Sequence, residues 1–148
     1  MTLLQWKDEY AIGIRAVDHE HRALIDIINL LGEHLDAKRS ALEVYETLGE
    51  IRTLIAAHFA LEEHVMRDLH YAEYAAHKAD HERLLDEIRD IVREVESGRF
   101  ADLRTQLGGR VSRWFAHHFE SFDARLHTAV EGTQITRKGR GAKSLSAT

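Results

Sequence analysis

Between His58 and His81 the chain reads HFALEEHVMRDLHYAEYAAHKADH, which sets two pairs of potential metal ligands four residues apart, His58 with Glu62 and His77 with His81. On an α-helix, residues four apart lie one above the other on the same face, so each pair can grip one ion without bending the backbone. The spacing alone is common. Eleven histidines scattered over 148 positions give roughly one HxxxH by chance, so the weight rests on where these residues fall on their helices.

Apolar residues recur at intervals of three and four through most of the chain, and the histidines fall on the same stripes. A first helix over residues 19–37, with Asp18 as its N-cap, carries His21, Leu24, Ile28, Leu31 and Leu35. A second, over 41–68, carries Leu48, Ile51, Ile55, His58, Glu62, Val65 and, just past its end, Leu69. A third, over 72–96, carries His77, His81, Leu84, Ile88, Ile91 and Val95, and Gly98 is placed to stop it. A fourth, over 102–130, carries Val111, Trp114, Phe115, His118, Phe122 and Leu126, with a kink or break expected at Gly108 and Gly109. Residues 1–17 read as a non-helical arm that packs Trp6 on the domain, because Trp6, Tyr10, Ile12 and Ile14 show no helical repeat.

Four one-sided helices with short connections predict an all-α fold, an antiparallel up-down-up-down four-helix bundle over residues 1–130. In that topology His21, His77 and His81, near the starts of the first and third helices, meet His58, Glu62 and His118 from the later halves of the second and fourth. A buried ionised Glu62 would cost several kcal/mol uncompensated, and buried imidazoles need partners for both nitrogens. A metal centre meets both needs. Five nitrogens are too many for one ion that must also take a ligand, whereas a carboxylate can bridge two, so the set predicts a dinuclear site. Asp18 reads better as a cap than as a ligand. His19, His34, His64, His70, His117 and His127 fall off the stripes and read as solvated, and Glu63 as a surface carboxylate or one that supports a ligand.

Composition narrows the chemistry further. With 44% hydrophobic and 30% charged residues the chain has the make-up of a water-soluble domain, and no run approaches a membrane span. The start lacks a basic, then apolar, secretory pattern, so a cytoplasmic monomer is expected. A net charge of -5 argues against nucleic-acid binding. Zero Cys removes disulfides and thiolate ligands, leaving nitrogen and oxygen donors that suit iron or manganese without excluding zinc or copper. Residues 131–148 turn to Gly, Ser, Thr, Lys and Arg, the composition of a disordered basic tail.

Taken together, these motifs resemble the hemerythrins, and among them the single-domain bacterial ones. The resemblance runs from about Trp6 to Ala129 and rests on the Trp6 arm, DHEH with His21 after Asp18, HFALEE from His58, Met66, Tyr71, HKADH from His77, and Trp114 with His118 and Asp123. It implies that His77, His81 and His118 bind one iron, that His21 and His58 bind the other, and that Glu62 and Asp123 bridge them. Helix geometry alone does not yield Asp123, since five residues from His118 is about 140° around an ideal helix.

The resemblance further implies two non-heme iron ions joined by an oxo or hydroxo bridge, with dioxygen as the ligand of the iron held by two histidines. Leu24, Phe59, Trp114, Phe115 and Phe119 match the positions that wall the oxygen pocket. Relatives usually carry smaller aliphatic residues where Phe115 and Phe119 stand, and a proline after Tyr71 where this chain has Ala72. Glu-x-x-His pairs of carboxylate-rich diiron oxidases are absent, which favours reversible dioxygen binding for delivery, storage or sensing, with an oxygen-consuming enzyme or a reductase as partner. The alternatives are a diiron redox enzyme acting on oxygen, peroxide, nitric oxide or ferrous iron, and a metal-storing or purely structural bundle.

Overall fold

A computed structural model of the chain describes residues 3–132, so the tail expected from 131 onward lies, from residue 133, outside the described residues. Four helices make up the fold: α1 (Arg15–Asp36), α2 (Ala41–Asp68), α3 (Tyr74–Glu96) and α4 (Phe100–His118). A five-residue π-helical turn, Phe119–Asp123, follows α4, and α-helix resumes over 124–132. The four-helix bundle expected from the stripes is what forms. α2 packs between α1 and α3, and α4 closes the bundle against both.

Local signals explain the boundaries. Ser40 caps α2, its Oγ accepting from the Glu43 backbone N–H at 3.2 Å. Gly98 ends α3 with a φ of +85°, a left-handed conformation that costs glycine nothing. The start of α1 departs from expectation. The helix begins at Arg15 behind Ile14, so Asp18 lies inside the first turn and is not its cap. Its carboxylate instead accepts from the Ile12 backbone N–H at 2.7 Å and ties the arm to the helix.

The arm is held by burial and by one amide. Leu4, Tyr10 and Ile12 are buried, each stabilising the docked arm by about 2 kcal/mol. Asn29 Oδ1 accepts from the backbone N–H groups of Leu3 and Leu4, both at 2.9 Å, and Asn29 Nδ2 donates to Leu4 O at 2.8 Å. Trp6 does pack on the domain, half-buried against Tyr10 with the Arg22 guanidinium 4.1 Å from its ring centroid.

No break occurs at the paired glycines, because α4 runs unbroken through Gly108 and Gly109. Gly108 is there to let other chain approach. A Cβ on it would lie 3.1 Å from Leu3 Cδ2 and 3.6 Å from Leu35 Cδ1. The stripe of α2 also drifts at its end, where Met66 is fully buried while Val65 and Leu69 are half-buried.

Two apolar clusters fill the interior. The larger holds Leu24, Ile28, Leu31, Leu48, Ile51, Ile55, Phe59, Phe115 and Phe119, and the smaller holds Ile12, Val17, Met66, Leu126 and Val130. Along each helix that contributes to both, a ligand-type residue stands between them: His21 between Val17 and Leu24, Glu62 between Phe59 and Met66, Asp123 between Phe119 and Leu126. The polar residues therefore form a layer closed off on both sides.

Candidate metal centre

All seven ligand-type residues named from the sequence come together in this layer, and each is 0% or 1% exposed. His21 comes from the start of α1, His58 and Glu62 from the second half of α2, His77 and His81 from the start of α3, and His118 from the end of α4. Asp123 joins them through the π-helical turn that starts one residue after His118. A π turn closes on the fifth residue and not the fourth, so it brings Asp123 back over His118 where an α-helix would swing it away. His118 Nε2 and Asp123 Oδ1 end 3.1 Å apart.

The two carboxylates divide the five imidazoles into two sets. Glu62 Oε1 lies 3.2, 3.3 and 3.9 Å from the Nε2 atoms of His77, His81 and His118, and Oε2 lies 2.8 and 3.4 Å from those of His58 and His21. Asp123 does likewise, with Oδ1 3.2 and 3.1 Å from His77 and His118, and Oδ2 3.1 Å from His21. Ligating atoms of Glu62, His77, His81 and His118 all fall within 4.8 Å of one another, as do those of His21, His58, Glu62 and Asp123.

These close approaches mostly lack hydrogen-bond alignment. The Nε2 atoms of His58, His77, His81 and His118, with Glu62 Oε1 and both Asp123 oxygens, are buried without a hydrogen-bond partner among the described residues. Orphaned buried acceptors are costly, and a cation shared among them removes the cost. The donor set thus fits two metal ions, one oxygen of each carboxylate facing either histidine set.

On their far sides four of the rings are fixed by oxygen atoms. His21 Nδ1 meets Tyr10 O at 2.7 Å, His58 Nδ1 meets Glu20 Oε2 at 3.0 Å, His81 Nδ1 meets Glu63 Oε2 at 3.1 Å and His118 Nδ1 meets Asp80 Oδ2 at 2.8 Å. A carbonyl or an ionised carboxylate can only accept, so each of these Nδ1 atoms carries a proton and each Nε2 is the nitrogen turned inward, the one that can offer a lone pair to a metal once it holds no proton of its own.

The family described as Hemerythrin HHE cation binding domain matches residues 12–130. The chain belongs to the hemerythrin family. Among its relatives, a bacteriohemerythrin from Pseudomonas paraeruginosa (strain DSM 24068 / PA7) is 32% identical over 130 residues, covering 88% of this chain and 83% of the relative. One from Stenotrophomonas maltophilia (strain R551-3) is 31% identical, covering 83% and 78%. A crystal structure of hemerythrin carrying a leucine-to-alanine substitution superposes with a TM-score of 0.79 at 25% identity, covering 88% of this chain and 98% of that one. As a hemerythrin, the chain is a non-heme diiron, dioxygen-binding protein.

Charge balance in the metal-free hemerythrin centre follows from the same contacts. Burial disfavours an imidazolium at His21, but the Asp123 and Glu62 carboxylates outweigh it and raise the group to about 10. His58, His77 and His118 are raised by the same competition, burial opposed by Glu62 and Glu20 at His58 and by Asp123 and Glu62 at the other two. Burial opposes ionisation of Glu62 too, and His58, His118 and His21 hold it well below its ordinary value. Asp123 is likewise lowered, its burial and the nearby Glu62 being overcome by His118 and His21. Without metal, protons on the rings therefore stand in for the cations.

Aromatic and aliphatic side chains enclose the centre. The Phe59 ring stacks on His81 at 3.8 Å and 6°, and Phe119 lies 4.8 Å from His21 and 4.9 Å from Tyr10. Phe115, fully buried, backs Phe119 at 5.8 Å, and the half-buried Trp114 meets Phe115 edge-on at 4.7 Å. Leu24 is 1% exposed in the same cluster.

Sequence reading missed three of the outer partners. Asp80 and Glu20 sit next to candidate ligand histidines in HKADH and DHEH, which was the available signal. Tyr10 acts through its backbone carbonyl, and no side-chain pattern announces that. Among the off-stripe histidines, His19, His64, His70 and His117 are exposed as expected, whereas His34 is half-buried on Thr47 Oγ1 at 3.0 Å and His127 is half-buried beside Glu131.

Proposed function

We propose that His77, His81 and His118 hold one iron, that His21 and His58 hold the other, that Glu62 and Asp123 bridge them, and that dioxygen is taken up reversibly on the two-histidine side. The observation that carries this reading is the split of each carboxylate, one oxygen toward each histidine set. Counting protein donors, the three-histidine side has five and the two-histidine side four, which leaves the extra vacancy beside His21 and His58. A pair of iron ions supplies the electrons that dioxygen takes up on binding and returns on release.

The chain's own residues do the rest. Tyr10 O and Glu20 keep the Nδ1 protons of His21 and His58 in place, so that both lone pairs face the centre. Phe119 packs on His21 with Phe115 behind it, Phe59 covers the His81 ring of the other set, and Leu24 and Trp114 belong to the same apolar cluster; exclusion of water by such a wall protects dioxygen from protons that would drive it off as a reduced product. Five neutral imidazoles against two carboxylates make a weakly anionic ligand set, and this supports binding over turnover.

The physiological reading is dioxygen delivery or storage by a cytoplasmic monomer, kept in its ferrous form by a reductase. Among the described residues no helix is long and apolar enough to cross a membrane. The test is the absorption spectrum of anaerobically reconstituted ferrous protein before air, after air and after oxygen is removed again. A visible charge-transfer band that appears with oxygen and vanishes on its removal is the expected result. Irreversible conversion to a diferric spectrum would overturn reversible binding, and no iron-dependent spectrum would overturn the ligand assignment.

A further inference from the structure

The three carboxylates behind the ligand histidines are not equivalent. Glu20 behind His58 is 36% exposed in its side chain, and Glu63 behind His81 is 17% exposed with Lys78 Nζ no nearer than 4.0 Å. Asp80 behind His118 is 6% exposed and is gripped by a guanidinium. Arg83 Nη2 and Nε donate to Asp80 Oδ1 at 2.8 and 3.3 Å, while Arg83 Nη1 donates to Glu87 Oε1 at 2.9 Å. The spacings of three and four along α3 put Asp80, Arg83 and Glu87 in one row on its surface. Oδ1 is thereby committed to arginine, and Oδ2 is left to accept from His118 Nδ1 at 2.8 Å.

We infer that Asp80, locked by Arg83, is a positioning residue that fixes the His118 ring with its proton on Nδ1 and its lone pair on the three-histidine metal. This inference rests on His118 being a ligand. It goes further in saying that the orientation of Asp80, and not its charge or packing alone, sets metal retention on that side. An asparagine at position 80 exposes the difference. Arg83 offers only donors, so it demands the amide oxygen; the amide NH2 then points at His118 Nδ1, where a donor is required to meet a donor. His118 must either lose that bond or move its proton to Nε2, and the second choice removes the ligand lone pair.

The test uses zinc, which is redox-inert, on the whole chain. For Asp80→Asn we expect affinity for one of the two zinc ions to fall about 10- to 100-fold, and the hydrogen-bonded His118 Nδ1–H proton resonance of the zinc-loaded protein to be lost or shifted upfield. The double variant Asp80→Asn with Arg83→Gln frees the amide to turn its oxygen to His118, and recovers most of both. Arg83→Gln alone, at a half-exposed side chain, folds and changes affinity less than Asp80→Asn. If Asp80→Asn keeps wild-type zinc affinity and the Nδ1–H signal, or if the double variant is no better than the single, the positioning role is wrong. Failure of the wild-type chain to take up two zinc ions would sink the ligand assignment itself, which is a separate outcome. Should Asp80→Asn fail to fold alone, the double variant decides by itself, since its amide oxygen is free to face His118: near-wild-type zinc affinity and Nδ1–H resonance are expected, and loss of both would overturn the positioning role.

Discussion

Loading the centre with metal should release protons, and the number can be worked from the contacts. His21 Nδ1 holds its hydrogen against Tyr10 O, so the second proton of a charged ring sits on Nε2, where the metal must bind. With its pKa raised to about 10, that proton is held at pH 7 by on the order of 4 kcal/mol. Displacing it makes metal affinity rise about tenfold per pH unit until the pH approaches 10. His58, His77 and His118 are also raised, so the slope lies between one and four protons. Glu62 and Asp123 are lowered and already ionised there, adding nothing. The sign for folding of the metal-free chain is opposite. A raised imidazole such as His21 contributes stability that is full below its unfolded value of 6.5 and is lost as pH rises through about 10. The lowered Asp80 contributes stability present above 3.8 and lost as pH falls through about 2. Titration calorimetry with zinc in two buffers of different protonation heat counts the protons directly. A pH-independent affinity between pH 6 and 8, with no buffer dependence, would refute the claim that ring protons take the place of the metal.

Two further outcomes follow from the packing. Gly109→Ala should stabilise the metal-free protein by about 1 kcal/mol through helix propensity, a rise in Tm of a few degrees, because the new Cβ meets only Arg113 Nη2 at 4.0 Å. Gly108→Ala gains the same propensity but presses its Cβ to 3.1 Å from Leu3 Cδ2, so thermal unfolding should show little or no net gain; equal stabilisation by both variants would mean the arm does not pack on Gly108. Phe115→Leu removes part of a fully buried ring that backs Phe119, at a stability cost of roughly 1 kcal/mol or more. It should change dioxygen affinity or autoxidation rate in stopped-flow and aerobic decay measurements, and unchanged values in both would remove the idea that this ring shapes the pocket.

What the sequence made legible, and what it hid, follows from how each feature is encoded. The four helices and six of the seven clustered ligand-type residues were readable because each lies on a stripe of period 3.6, and a stripe is a one-dimensional record of one face. Asp123 was hidden from that logic for a definite reason. Periodicity assumes every residue turns the helix by the same angle, and the π turn at Phe119–Asp123 breaks the assumption at the one place where the fifth residue, not the fourth, must come round. Only resemblance to a family supplied it. Gly108 misled for a related reason, since propensity weighs a glycine against its own helix, whereas here the missing side chain serves Leu3 and Leu35 from other parts of the chain.

The supporting oxygens show a limit of another kind. Glu20, Glu63 and Asp80 are polar residues beside candidate ligands, a description that fits many solvated side chains, and what singles them out is the direction of a histidine Nδ1 from another helix. Tyr10 is the extreme case, because its carbonyl would be present whatever residue stood there. Its side chain still matters indirectly: the ring is buried against Phe119 and Trp6, and that burial holds a short 3-10 turn of the arm, Asp8–Tyr10, whose last carbonyl reaches His21. The arm is therefore part of the centre. Its apolar residues carry the docking energy, its backbone carries the chemistry, and a substitution that loosens Leu4, Tyr10 or Ile12 acts on His21 without touching a ligand.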